Sequence, residues 1–445
     1  MIPAEIKSGD GAAKAITGVW RAESLRGRFA RGAVWSLIGA VISQGSNLAA
    51  SVITARLLGR EQFGEYGMIQ STVGMLGVFA GLGLGLTATK YVAEFRTRDP
   101  ERAGRIIALG CAVAILSGGL LALVLLACAP LLAARTLNAP MLVNELRIAS
   151  VLLFLNALNG AQTGALSGFE AFRTIARINL SRGLVTFPIT VILVLLWRLP
   201  GAIWALAVTA AVTCFLSQLR LRQHCAALGI RPRFSSAWRE RRVLWTFSTP
   251  AFLSGAMVGP VTWAANAMLV NQPGGYAEMG VFSAASQWRN AIGFIPAVLA
   301  QFALPILSNL KGERDVSRYG RALRWNLILT AAVAMAVAVP VAAGAPQIMG
   351  LYGRGFKQGW LVLVLSAATA VISCVNGVVG TAILSAGSVW AGFAFNGMWA
   401  AALLAGCYFF VPTSLALGLA GSMLGAYIAH TAWQAVYLRH RLSRS

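Results

Sequence analysis

Apolar stretches long enough to cross a lipid bilayer occupy nearly all of this 445-residue chain, and that feature decides what it can fold into. A helix needs about 20 apolar residues to traverse the hydrocarbon core. Twelve such stretches follow one another, at about 33–55, 66–89, 106–128, 146–168, 178–197, 201–219, 245–270, 280–307, 325–345, 358–384, 390–411 and 415–438. Lipid offers no partner to a free backbone N–H or C=O, so the spans must be helical. Only 11% of the residues are charged, against about 25% in a soluble domain, and mean hydropathy is +0.69. The expected fold is an all-α polytopic membrane protein with about twelve transmembrane helices.

A net charge of +23 would suggest nucleic acid in a soluble protein. Its distribution argues otherwise. The N-terminal segment, the gaps after spans two, four, six and eight, and the tail hold 29 of the 37 Lys and Arg. By the positive-inside rule both termini are expected in the cytoplasm, with anionic membrane lipids as neighbours and no nucleic-acid partner. The segment from Met1 to Ala30 lacks the apolar core of a signal peptide. Ile16, Val19 and Trp20, set among Lys14 and Arg21, read as a short interfacial helix or as a disordered cytoplasmic tail. The six cysteines have neither metal-ligand nor disulfide spacing and read as small packing residues, so no metal or cofactor is expected.

The longest gap, from Arg220 to about Leu244, divides the chain into two sets of six spans. The expected organisation is a cytoplasmic segment 1–32, a six-helix bundle 33–222, a basic linker 223–244, a second bundle 245–438 and a tail 439–445. Weak internal similarity supports the division. Asn159-Gly160 recurs as Asn376-Gly377, Leu166-Ser167-Gly168 as Leu384-Ser385-Ala386, and Asn179 as Asn396. With an even number of spans each, the halves enter the membrane in the same direction. A pseudo-twofold along the membrane normal, with a central cavity between the halves, follows.

Polar side chains within the spans mark the candidate lining of that cavity. Ser36, Ser43, Asn47, Ser51 and Thr54 in span one fall within an arc of ~80° at 100° per residue, and Gln44 lies beside them. Such a stripe faces either protein or water, not lipid. Ser254, Thr262 and Asn266 are the counterparts in span seven, where Pro250 and Pro260 predict kinks. No carboxylate lies mid-span, whereas a cation-coupled exporter needs one there. One cation does lie at depth: Arg289, with Ser283, Ser286, Gln287 and Asn290 in the same helix. A guanidinium stays ionised when desolvated and grips phosphate with a planar fork; the alternative is a side chain snorkelling to the interface. Arg56 and Arg147, near outer span ends, would add a positive rim.

Three segments carry a family resemblance: ARLLGREQFGEYGMIQS from Ala55 to Ser71, GVFSAASQWRNAIGFIPAVLAQFALPILSNL from Gly280 to Leu310, and LYGRGFKQGWLVLVLS from Leu351 to Ser366. They resemble the oligosaccharide and polysaccharide flippases of the multidrug/oligosaccharidyl-lipid/polysaccharide exporter superfamily. The resemblance implies a bacterial inner-membrane protein, not an enzyme, that moves an undecaprenyl-pyrophosphate-linked oligosaccharide to the outer leaflet by alternating access. Glycan polymerases and glycosyltransferases would be its functional neighbours. Competing readings are a cation-coupled multidrug antiporter of the same superfamily and a polytopic glycan polymerase or glycosyltransferase. The short external gaps and three scattered histidines (His224, His430 and His440) argue against an enzyme, and the absence of a GxxxxGK[ST] loop argues against ATP hydrolysis.

Overall fold

The structure, a computed structural model, describes residues 25–249, 252, 256–312, 316–385 and 389–442. Within them it omits the side chains of 25–40, 246–247, 298–319, 381, 384–390 and 438–442. The expected N-terminal helix or tail over 1–24, together with Pro250, Ser254 and the Ser36 side chain, therefore lies outside the described residues.

The described chain is helical, with no strand among the described residues. Helix α1 runs Leu25–Gly81 and is broken at Gly59 (φ 81°, ψ 177°), which separates spans one and two. Helix α2, Leu84–Phe95, continues span two after a 41° bend. Helix α3, Pro100–Leu131, starts with Pro100 in its first turn and with the Asp99 carboxylate accepting from the Arg102 amide at 2.9 Å. Helix α4 is Val143–Gly168. Helix α5, Phe172–Ala227, holds spans five and six on either side of a break at Arg198. Short helical segments at Phe234–Glu240 and Leu244–Ser248 lead to α6, Val258–Val270. Then follow α7 (Gly275–Gly312), α8 (Val316–Ala343), the short α9 (Ala345–Leu351), α10 (Trp360–Ser385) and α11 (Val389–Leu442), broken at Leu415. Each of the twelve expected spans thus coincides with a helical rod or, for span seven, with its described part.

The links at the turn end are shorter than the sequence suggests. Three hairpins turn at a single non-helical residue rather than through a loop. Gly59 takes its positive φ without a Cβ clash. Arg198 and Leu415 do so under strain, at a cost of about 1–3 kcal/mol each. At the first of these, the Arg198 guanidinium bonds the Leu57 carbonyl at 2.6 Å, tying the break to α1.

The internal repeat is visible in the backbone. Arg198 (φ 54°, ψ −128°) and Leu415 (φ 49°, ψ −123°) adopt nearly one conformation. Their separation along the chain equals that of Asn159 from Asn376. Just past each break a glycine packs on the preceding helix, Gly201 on the Leu193 carbonyl and Gly418 on the Phe410 carbonyl, at the same separation again. This repeat pairs α1–α5, the first lobe, with α6–α11, the second.

The basic linker belongs physically to the first lobe. Glu240 is buried and accepts from Arg102 and Arg105 of α3, each at 3.1 Å. Beyond the linker, Ser248 at the start of span seven shares a 2.7 Å hydrogen bond with Thr87 of α2, so the two halves also touch near the basic end. Cys225, at the end of α5, is buried there, and burial pushes its thiol up to about 11, which leaves it unreactive.

Candidate substrate passage between the two lobes

The two lobes meet at the end of the bundle that carries the breaks at Gly59 and Gly274. Here α1 and α7 cross so closely that only hydrogen fits between them. A Cβ on Gly64 would strike the Tyr276 carbonyl, and one on Gly280 would strike the Arg60 carbonyl. The Arg60 guanidinium pairs with Glu278 at 2.5 Å. Around this crossing, Asn266 donates to Ser71 at 2.9 Å, the Trp263 indole to Thr72 at 3.0 Å, Asn271 to the Thr136 carbonyl at 2.9 Å and Tyr276 to the Leu137 carbonyl at 2.8 Å. Phe63 lies within ring contact of both Tyr352 and Phe356, and all three are buried. This is the closed end; the basic gaps lie at the other.

Arg289 lies fourteen residues into α7, about 21 Å from its start at 1.5 Å per residue. Its side chain is half-buried, and one guanidinium nitrogen contacts the sulfur of Met423 on α11. A thioether is a weak acceptor and carries no charge. Among the described residues no carboxylate pairs with Arg289, and Glu278, the acid nearest in sequence, is committed to Arg60. Gln287 is half-buried and Asn290 exposed beside it. Two neighbouring hydroxyls, Ser283 and Ser286, are buried without a hydrogen-bond partner, and Ser283 packs against Gly67 of the other lobe.

The remaining predicted site residues divide. In α1, Ser43 is buried, with Gly183 of α5 packed on its backbone. Asn47 is half-buried, and Ser51 is buried beside Tyr352. Thr54 spends its hydroxyl on the Ala50 carbonyl at 2.7 Å. Asn266 lies in the closed-end seam with its amide nitrogen on Ser71 and its oxygen buried and unpartnered. Arg56 is exposed and donates to the Leu351 carbonyl across the seam; Arg147 is exposed.

Sequence reasoning missed the Gly64–Gly280 crossing and the Arg60–Glu278 pair. The sequence gives no direct signal for the crossing, since Gly64 stands from Gly280, and Arg60 from Tyr276, at one position short of the repeat spacing. It also missed the polar ties inside each lobe. Ser217 donates to Asn159 at 3.1 Å between α5 and α4, and Thr431 to Asn376 at 2.8 Å between α11 and α10. The two asparagines stand at the repeat spacing, while their partners Ser217 and Thr431 are three residues short of it, so the joints are alike in place but not in partner. The second extends to His430, flanked by Asn376 and Gln434 and buried.

Comparison with known proteins gives the following. Residues 29–311 match the family model described as "Polysaccharide biosynthesis protein". The EPS I polysaccharide export inner membrane protein EpsE of Ralstonia nicotianae is 26% identical over 416 residues, 91% of each chain. EpsE of Ralstonia solanacearum is 25% identical over 411 residues, 89% of each. Among solved structures, an inward-facing multidrug resistance MATE transporter of the MOP superfamily superposes with a TM-score of 0.73 at 16% identity, covering 93% of this chain and 99% of that one. A MOP superfamily transporter from Pyrococcus furiosus, described as having a binding pocket of reversed polarity, gives 0.68 at 17%, covering 93% and 96%. At those identities the likeness establishes the two-lobed fold.

Proposed function

The chain belongs to the polysaccharide biosynthesis protein family, and from that premise we propose that it is an exporter of the inner membrane that flips a lipid-linked oligosaccharide from the inner to the outer leaflet. The substrate would be a glycan on undecaprenyl pyrophosphate, carried by alternating access for surface or exopolysaccharide assembly. It makes and breaks no bond.

The observation that carries this reading is Arg289, a cation at mid-helix depth in contact with a sulfur and, among the described residues, with no carboxylate beside it. A bare pyrophosphate cannot cross hydrocarbon, because ion burial without compensation costs tens of kcal/mol. A guanidinium replaces lost hydration with two parallel hydrogen bonds. Gln287, Asn290, Ser43, Asn47, Ser51, Asn266, Arg56 and Arg147 are the further polar groups assigned to the passage, while the polyprenyl tail stays in lipid. With the basic gaps in the cytoplasm, the end closed at Gly64 and Gly280 faces outward, and substrate enters from the inside once the basic end parts. An inside-negative potential then favours outward movement of the anion by about 2.3 kcal/mol per charge per 100 mV. Glycosyltransferases and a glycan polymerase would act before and after this step.

The name of the Ralstonia relatives supports export of a polysaccharide. The test is deletion of the gene, with the lipid-linked precursor assayed in each leaflet. Precursor should accumulate on the inner leaflet with its synthesis intact; loss of the precursor itself would point to an enzyme instead.

A further inference from the structure

A second cavity opens at the closed end, on the seam between the lobes and apart from Arg289. Its volume is about 780 Å³. The N-terminal lobe contributes Arg135, just past α3; α6 contributes Trp263 and Met268, and the turn after it Gln272; and α11 contributes Tyr408 and Phe409. The lining is amphipathic. Trp263 and Met268 make an apolar wall, and Gln272 and Arg135 a polar one. Arg135 is the cavity's one charged lining residue among the described residues, it is exposed, and no ion pair among them includes it. Tyr408 and Phe409 are each 68% exposed, whereas Cys407 and Val411 on the same helix are buried. The aromatics therefore face away from the protein, and aromatic rings are the side chains that settle at the membrane interface.

We propose that this seam binds a phospholipid with an anionic headgroup, its phosphate on Arg135 and one acyl chain against Trp263 and Met268. Charge decides the occupant: an uncompensated guanidinium at the polar end of an apolar groove suits an anionic amphiphile and leaves a zwitterionic one its own ammonium to accommodate. Position gives the site a consequence. The Asn271–Thr136 hydrogen bond crosses the same seam, so a lipid wedged there contacts both lobes and favours the state in which this end is closed. Only the leaflet that supplies the lipid rests on the orientation adopted under Proposed function.

The experiment uses the full chain in nanodiscs doped with phosphatidylglycerol or phosphatidylcholine carrying the same photoreactive acyl chain, with crosslinked peptides mapped by mass spectrometry. Segments 263–272 and 407–412 should be labelled about fivefold more by phosphatidylglycerol, because one basic residue near an anionic surface contributes about 1 kcal/mol. Arg135→Gln should reduce this labelling to the phosphatidylcholine level, Arg135→Lys should keep most of it, and inorganic phosphate should not compete. Equal labelling by the two lipids, an unchanged Arg135→Gln variant, or displacement by free phosphate would each overturn the site. Labelling is read without transport. A failed leaflet assay with intact selective labelling therefore refutes the export reading alone.

Discussion

Gly64 and Gly280 face each other across the pseudo-twofold, each occupying the space that the other's missing side chain would need, with Tyr276 and Arg60 supplying the opposing carbonyls. The contact is reciprocal: Gly64 faces the carbonyl four residues before Gly280, and Gly280 the carbonyl four residues before Gly64. It lets α1 and α7 approach backbone to backbone, as small residues do wherever membrane helices must pack closely. The closed end is built around this crossing, and rocking one lobe against the other must part it.

Enlarging either glycine should therefore bias the protein toward opening at that end. Overpacking a tight contact costs about 1–3 kcal/mol, a five- to 150-fold shift between two states. Gly64→Leu and Gly280→Leu should each raise the rate at which a thiol-specific reagent modifies a cysteine placed at Ser71, at unchanged abundance. Unchanged reactivity would show that the crossing does not seal the seam.

The Arg60–Glu278 pair closes the same seam with partly exposed partners, 28% and 26%. After discounting for solvent screening its contribution is about 0–1 kcal/mol. Arg60→Gln should raise Ser71-site reactivity by at most about fivefold, and Arg60→Glu, which sets two carboxylates against each other, by more. The double exchange Arg60→Glu with Glu278→Arg should bring it back toward wild type. No recovery would mean that the charges act separately.

Arg289 separates three roles by two substitutions. If it grips pyrophosphate, Arg289→Ala should abolish export at normal abundance and Arg289→Lys should keep part of it, as a point charge without the fork. A snorkelling side chain would tolerate both. A purely structural role would lower abundance instead of activity per molecule. Wild-type export by a well-expressed Arg289→Ala variant ends the anion-binding assignment and leaves the family membership standing.

Asn376 is buried and bonded to Thr431 and to the Tyr427 carbonyl. Thr431 also donates to the Tyr427 carbonyl at 2.8 Å, so both partners stay bonded to each other in Asn376→Leu. The loss is about 0.5–1.5 kcal/mol for each hydrogen bond removed, and the midpoint of thermal unfolding in detergent should fall. Asn159→Leu should fall in parallel if the two joints are equivalent. A drop in only one lobe would show that the repeat is geometric and not energetic.

Orientation is checked by cysteines at Gln62, Gly274 and Gly355, which should react with an impermeant reagent applied to whole cells, while those at Ser236 and Gly312 should not. External labelling at Ser236 would invert the arrangement and the direction of transport with it.

The helical rods and the place of Arg289 within one long helix were legible in the sequence, which also suggested a division near the basic linker. Lipid imposes helix on any long apolar run, charge marks the gaps, and the fixed rise of a helix converts position into depth. Half of the repeat was legible too, through Asn159 and Asn376. Tertiary structure alone decided who meets whom across the lobes. A close crossing depends on which faces of α1 and α7 are turned together, and a glycine with no side chain leaves no periodic pattern to read. Glu278 shows the same limit. In the sequence its nearest cation candidate was Arg289 on its own helix, yet the fold brings Arg60 to it from 218 residues away, because long-range pairing is set by packing and not by spacing along the chain.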